Sequence, residues 1–164
     1  MALTPPFVRG HDHALGESGP VVVLFGDYED PDSAAAHRVL SALDGVTYVW
    51  RHLPIGEKHP NANGAALAAE GAAAQDAFWA YHHVLLARQD ALSVPDLLNH
   101  AGQIGLDVKL LMEDMLEGRH AERVLDDVRS AVDSGVKATP AIFIEGELWE
   151  GGWEPEALRA ALAG

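Results

Sequence analysis

Four carboxylates fall within six residues at Asp27, Glu29, Asp30 and Asp32, and a hydroxyl follows at Ser33. Such a cluster could hold a divalent cation, since Ca²⁺ and Mg²⁺ prefer oxygen ligands. Its spacing is not that of an EF-hand, and a solvated turn at a helix start accounts for the same residues. Asp30 could act as a general base or a ligand, or as an N-cap whose carboxylate accepts from backbone N–H groups two and three residues on. His11-Asp12-His13 sets two imidazoles and a carboxylate in a Gly-rich stretch, a weak signal for a metal. His52 and His59 flank one loop and could approach each other, and His37, His82, His83, His100 and His120 are scattered. A buried histidine bonded to a backbone carbonyl is the plainer reading for each. There is no cysteine, which removes disulfides, thiolate nucleophiles and Cys-type zinc sites together. No nucleophile elbow, phosphate loop, dinucleotide fingerprint or zinc-protease helix occurs.

The acidic turn needs elements to hold it. Val21 to Phe25 is a continuous apolar run bounded by Gly26, which reads as a strand buried on both faces. Asp30 then caps a helix that starts at Pro31, where no N–H is missed, and runs to about Leu43 before Asp44-Gly45. Ala35, Val39 and Leu43 mark its apolar face. Val46 to Leu53 alternates as a second strand, with Val46, Tyr48 and Trp50 on one face and Thr47, Val49 and Arg51 on the other. Strand, helix and strand in this order predict a right-handed βαβ unit with parallel strands. A helical stretch follows over about residues 60–134. Gln75-Asp76 is expected to cap the segment carrying Phe78, Trp79 and His82. Ser93 to Asp96 reads as a capping box, Asp107 starts a further helix, and the last helix presents Val124, Leu125, Val128 and Val132 inward. Two short strands meet at Glu145-Gly146, a tight hairpin signal, and Glu154 to Leu162 forms a closing amphipathic helix.

Gly26-Asp27-Tyr28-Glu29, then Pro31 one residue past Asp30, resembles the DsbA-like branch of the thioredoxin superfamily. That branch carries Cys-Pro-x-Cys on the first helical turn. Here Asp30 and Ser33 stand where the two redox cysteines belong, with Pro31 and Asp32 between. Further landmarks agree: Arg51-His52-Leu53-Pro54, His59-Pro60, Phe78-Trp79 with His82, Gly135-Val136, Thr139-Pro140 and Phe143-Ile144-Glu145-Gly146. They look like a subgroup of which some members are fused to sodium/proton antiporters. The resemblance implies an α/β thioredoxin-like fold: a βαβ unit, a helical insertion, a β-hairpin and a C-terminal helix. It implies a single domain over residues 1–164, with a lead-in loop over 1–19, a frame over 20–58 and 136–164, and an inserted helical cap over 59–135. It also implies that Pro140 is a cis-proline facing the degenerate motif, and that an extended peptide would lie beside it.

The family is one of disulfide oxidoreductases and isomerases, but exchange needs sulfur on both sides, so that activity is expected to be absent. The expected binding residues are Asp30, Ser33, Thr139 and Pro140, with no metal and no cofactor. The formal net charge of −14 disfavours nucleic acid and anionic membrane surfaces. No apolar run is long enough to insert into a bilayer, no signal peptide is visible, and a cytoplasmic protein is expected. Three functions stay open: a peptide- or protein-binding or regulatory module using the groove beside Pro140, an enzyme with altered chemistry at Asp30 and Ser33, and an accessory subunit of a membrane transporter.

Overall fold

The computed structural model describes residues 2–163, so Met1 and Gly164 lie outside it. Five strands form one sheet in the order β1-β3-β2-β4-β5. They are β1 (His13–Leu15), β2 (Val21–Gly26), β3 (Thr47–His52), β4 (Ala141–Ile144) and β5 (Glu147–Trp149). Strands β2 and β3 run parallel, and every other pair is antiparallel. Helix α1 (Pro31–Leu40) makes the crossover between them. Five helices separate β3 from β4: α2 (Ala62–Ala74), α3 (Phe78–Ala87), α4 (Val94–Gln103), α5 (Val108–Leu116) and α6 (Ala121–Asp133). Helix α7 (Pro155–Ala163) closes the chain. This is a mixed α/β thioredoxin-like fold. No helix among the described residues is long and apolar enough to cross a membrane.

Both faces of the sheet are covered, which is why every residue of β2 and β3 after the first is buried. Val22, Leu24, Tyr48 and Trp50 pack with α1 to α5 in the larger core. Val23, Phe25, Val49 and Phe143 form a second cluster with Ala131 of α6. Gly26 is required at the end of β2, because a Cβ there would lie 2.2 Å from the Trp50 ring. The hairpin turn has Glu145 at φ 51° and Gly146 at φ 83°, the paired left-handed conformation of a two-residue loop.

Several expectations are corrected. The lead-in is not all loop: His13–Leu15 pairs with Tyr48 to Trp50 as the edge strand β1. Helix α1 ends at Leu40, capped by Ser41, and its buried face is Ser33, Ala34, Ala36, His37 and Leu40. Asp76 lies at φ 59° and terminates α2, while α3 starts from Ala77 with no side-chain cap. The Gln75 amide instead brackets the backbone of Asp107. The capping box at Ser93 and the Asp107 cap are present. Helix α6 is rotated from the expected orientation. Val124, Asp127 and Ala131 face inward, whereas Leu125 and Val132 are exposed. Asp127 turns in because it accepts from Arg9, Arg123 and the His52 N–H, which offsets the cost of burying its charge.

Candidate functional site

The turn between β2 and α1 is held from within. Asp27 is buried and accepts from the N–H groups of Glu29 (2.8 Å) and Ile55 (2.7 Å), and its other close partner is His59 Nδ1 (2.9 Å). Glu29 accepts from the Asn61 N–H. Asp30 is the N-cap, accepting from Asp32 N (3.2 Å) and Ser33 N (3.1 Å). The expected solvated turn is therefore true of Asp32 alone; the other three carboxylates are occupied by the protein's own donors. Those donors sit where a divalent cation would need free oxygens.

Ser33 is 0% exposed. Its hydroxyl donates to Asp30 Oδ2 at 2.6 Å and accepts from Asp27 N at 3.2 Å. The pair at the two motif positions is thus a closed hydrogen bond. With its proton committed to Asp30 and its oxygen out of reach, Ser33 offers no accessible nucleophile. Gln89, in the loop after α3, donates to the carbonyls of Tyr28 and Asp30, both at 2.9 Å. It clamps the turn to the helical cap. Nothing in the sequence marked it, since a lone exposed-type amide carries no pattern.

The Thr139–Pro140 bond is cis. Thr139 and Asp30 line one open cleft of about 250 Å³, together with Ile55, Lys58, His59, Lys137 and Ala138. Pro140 lines a different cleft of about 220 Å³ with Ile142, Trp149 and Trp153. Of the four expected binding residues, Asp30 and Thr139 line one cleft, Ser33 is buried against Asp30, and Pro140 lines another cleft. Among the described residues, no backbone hydrogen bond ties down Lys137, Ala138 or Thr139. Their polar groups stay available to a ligand or to water.

The histidines sort into separate networks. His59 bonds Asp27 and His52 bonds Glu70, so the two do not converge. His11 reaches Asp126, Asp12 is bound by Arg9 and Arg51, and His13 reaches Glu70. The three neighbours point to different partners, as a packing role requires. Glu70 Oε2 lies 2.7 Å from Nε2 of both His13 and His52. These three groups are close enough to suggest a metal, but the hydrogen-bond pattern assigns them otherwise. Trp50 Nε1 donates to His52 Nδ1 at 3.1 Å, and indole is a donor only. His52 must then carry its proton on Nε2, where it donates to Glu70. Burial pushes the Glu70 carboxyl up, and the two histidine hydrogen bonds outweigh it, holding it well below the usual carboxylate range.

A second network runs from the turn to the surface. Tyr28 Oη meets His82 Nδ1 at 2.6 Å, His82 Nε2 meets His37 Nδ1 at 3.3 Å, and His37 Nε2 meets His83 Nδ1 at 2.9 Å. The Tyr48 hydroxyl also lies 2.8 Å from His37 Nδ1. With all three rings neutral a consistent donor-to-acceptor sense runs along the chain, His37 Nδ1 being shared between His82 Nε2 and the Tyr48 hydroxyl. Burial pushes His37 down to about 3, helped by the nearby His83 and Arg38. Burial likewise holds His82 well below its ordinary value.

The DSBA-like thioredoxin domain family matches residues 58–163, about two thirds of the chain. The chain belongs to the DsbA-like thioredoxin family. Among solved structures, this DsbA-like chain is similar to oxidised BdbD from Bacillus subtilis, with a TM-score of 0.86 at 20% identity over 98% of this chain and 95% of that one. A thioredoxin-like oxidoreductase from Silicibacter pomeroyi DSS-3 gives a TM-score of 0.81 at 27% identity, covering 94% and 92%. In sequence it is 40% identical over 98% of its length to a protein named Na(+)/H(+) antiporter NhaA 3 of Salinispora tropica. It is 35% identical over 99% to one named Na(+)/H(+) antiporter NhaA 1 of Mycobacterium sp.. The chain spans about a quarter of the length of these curated relatives, 26% and 28% respectively. Having no cysteine, it cannot carry out thiol–disulfide exchange on thiols of its own.

Proposed function

We propose that this DsbA-like domain is a non-redox binding module that takes an extended polypeptide segment in the cleft between Asp30 and Thr139. The observation that carries the reading is the backbone of Lys137 to Thr139, which makes no backbone hydrogen bond among the described residues and borders an open cleft. An extended segment laid there gains main-chain hydrogen bonds, as in other strand-addition complexes. Asp30 and Ser33 serve by holding the floor of the cleft. A site without thiols needs no oxidising compartment, so a cytoplasmic setting fits the same reading.

The test is a nitrogen-15 NMR titration with short, unstructured, cysteine-free peptides of mixed composition. Shifts centred on Asp30, His59, Ala138 and Thr139, abolished by Ala138→Trp in the folded protein, are the expected result. Shifts confined to another face, or none at millimolar peptide, would sink the reading.

A second reading has its own support. The relatives that match over the whole described chain are named as sodium/proton antiporters, so the module's partner would be a transporter of that kind. Co-purification of tagged protein with such a transporter from native membranes, lost on Ala138→Trp, would join the two readings.

A further inference from the structure

The chain is acidic, with 25 Asp and Glu against 11 Lys and Arg. Its lysines are three, Lys58, Lys109 and Lys137. Lys109 sits 4.0 Å from Glu113 on the far helix α5. Lys58 and Lys137 both line the cleft that holds Asp30 and Thr139, and both are exposed. They come from two different loops, one after β3 and the other after α6. Neither joins an ion pair among the described residues. His59 lines the same cleft as a third nitrogen base.

The one acid in the lining does not cancel them. Asp30 is only 9% exposed, and its oxygens are taken by two backbone N–H groups and the Ser33 hydroxyl. It also sits at the positive end of α1, which offsets its charge. Asp32 and Glu57 are exposed nearby but lie outside the lining. The cleft therefore presents two cationic side chains without an ion-pair partner among the described residues, on a molecule of formal net charge −14.

From this convergence we infer that the cleft selects an acidic extended segment, with Asp or Glu side chains set against Lys58 and Lys137. The inference rests on the peptide-binding reading of the same cleft. Side chains of an extended segment alternate between its two sides, so acids along it can address lysines from both loops while the main chain pairs with Lys137 to Thr139. A basic segment would be drawn to the acidic surface at large and would gain nothing at this point. Selection here is local, short-ranged and weakened by salt, since the screening length is about 8 Å at physiological ionic strength.

Fluorescence anisotropy with two labelled peptides tests it, one alternating Glu and Ala and the other alternating Gln and Ala. Two exposed lysine–carboxylate pairs make the Glu peptide bind roughly tenfold tighter to the wild type. In the Lys58→Gln/Lys137→Gln variant that preference is expected to vanish while the Gln peptide binds as before. Lys109→Gln should leave both unchanged. Equal binding of the two peptides by wild type would overturn the inference and leave the peptide-binding reading standing. A Glu preference that survives in the double variant would also overturn it, placing the acidic contact elsewhere. Binding of neither peptide would overturn both. Circular dichroism of the double variant confirms the fold; both substituted side chains are exposed.

Discussion

At Asp30 and Ser33 the two side chains that replace a thiol pair still touch, at 2.6 Å. The geometry of the motif has outlived its chemistry. Asp30→Cys with Ser33→Cys is therefore expected to form an intramolecular disulfide in air, read as loss of Ellman-reactive thiol without dimerisation. Losing the Asp30 cap should cost about 1 kcal/mol in urea unfolding. Asp32 and Glu29 lie beside the first position, and nearby negative charge disfavours a thiolate. Its pKa should then fall when Asp32→Ala is added, measured by thiolate absorbance. Much of this was legible beforehand, because Asp30-Pro31 is a capping signature and the motif spacing is local. Its inward hydrogen bonds were not. That Asp27 is buried and answered by Ile55 and His59 depends on a loop 28 residues away in sequence, which no local pattern encodes.

Among elements, a few polar side chains add to the apolar core that joins the cap to the frame. Gln89 reaches from behind α3 to the carbonyls of Tyr28 and Asp30. Gln89→Ala should cost roughly 1–3 kcal/mol for two lost hydrogen bonds. It should also raise hydrogen exchange at residues 27–31 before any other part of the sheet. His37 of α1 and His82 of α3 join the same two layers with Tyr28, Tyr48 and His83 around them. Both histidines are depressed by burial, His37 from 6.5 to about 3. The unfolded chain binds protons that the folded one refuses. Stability is therefore complete above about pH 6.5 and declines as pH falls toward 3, by about 1.4 kcal/mol per pH unit for each proton. Asp12 and Glu70 are ionised well above their ordinary values of 3.8 and 4.5 in both states, so the interval from about pH 6.5 to about 5.5 isolates the histidines. Urea midpoints there should drop steadily, and His37→Phe should flatten the slope by roughly one proton whatever it does to the absolute stability. Element order, the hairpin and the parallel pair were legible from hydrophobic period. The rotation of α6 was not, because its apolar stripe of Leu125 and Val132 competes with Asp127. The half-buried guanidinium groups of Arg9 and Arg123 decide in favour of the acid.

For the whole molecule, a family known by thiol chemistry is represented by a chain with none. The purified protein is expected to leave the rate of insulin reduction by dithiothreitol unchanged, and its own unfolding midpoint should be the same with and without reductant. Accelerated insulin precipitation in a contaminant-free sample would contradict both statements. The folded state instead leans on a core that covers both sheet faces and on buried ion pairs such as Arg51 with Asp12. Burial pushes the Asp12 carboxyl up, but hydrogen bonds from Arg51 and Arg9 outweigh it and bring it down to about 2. That contribution persists above the ordinary carboxylate range and fades only in strong acid. The Ser33–Asp30 hydrogen bond has a consequence in signalling terms. A dithiol pair has two lasting covalent states and can remember its last encounter. A hydroxyl resting on a carboxylate has one, re-formed as soon as it breaks. Any response of this site therefore tracks the concentration around it at that moment and keeps no history.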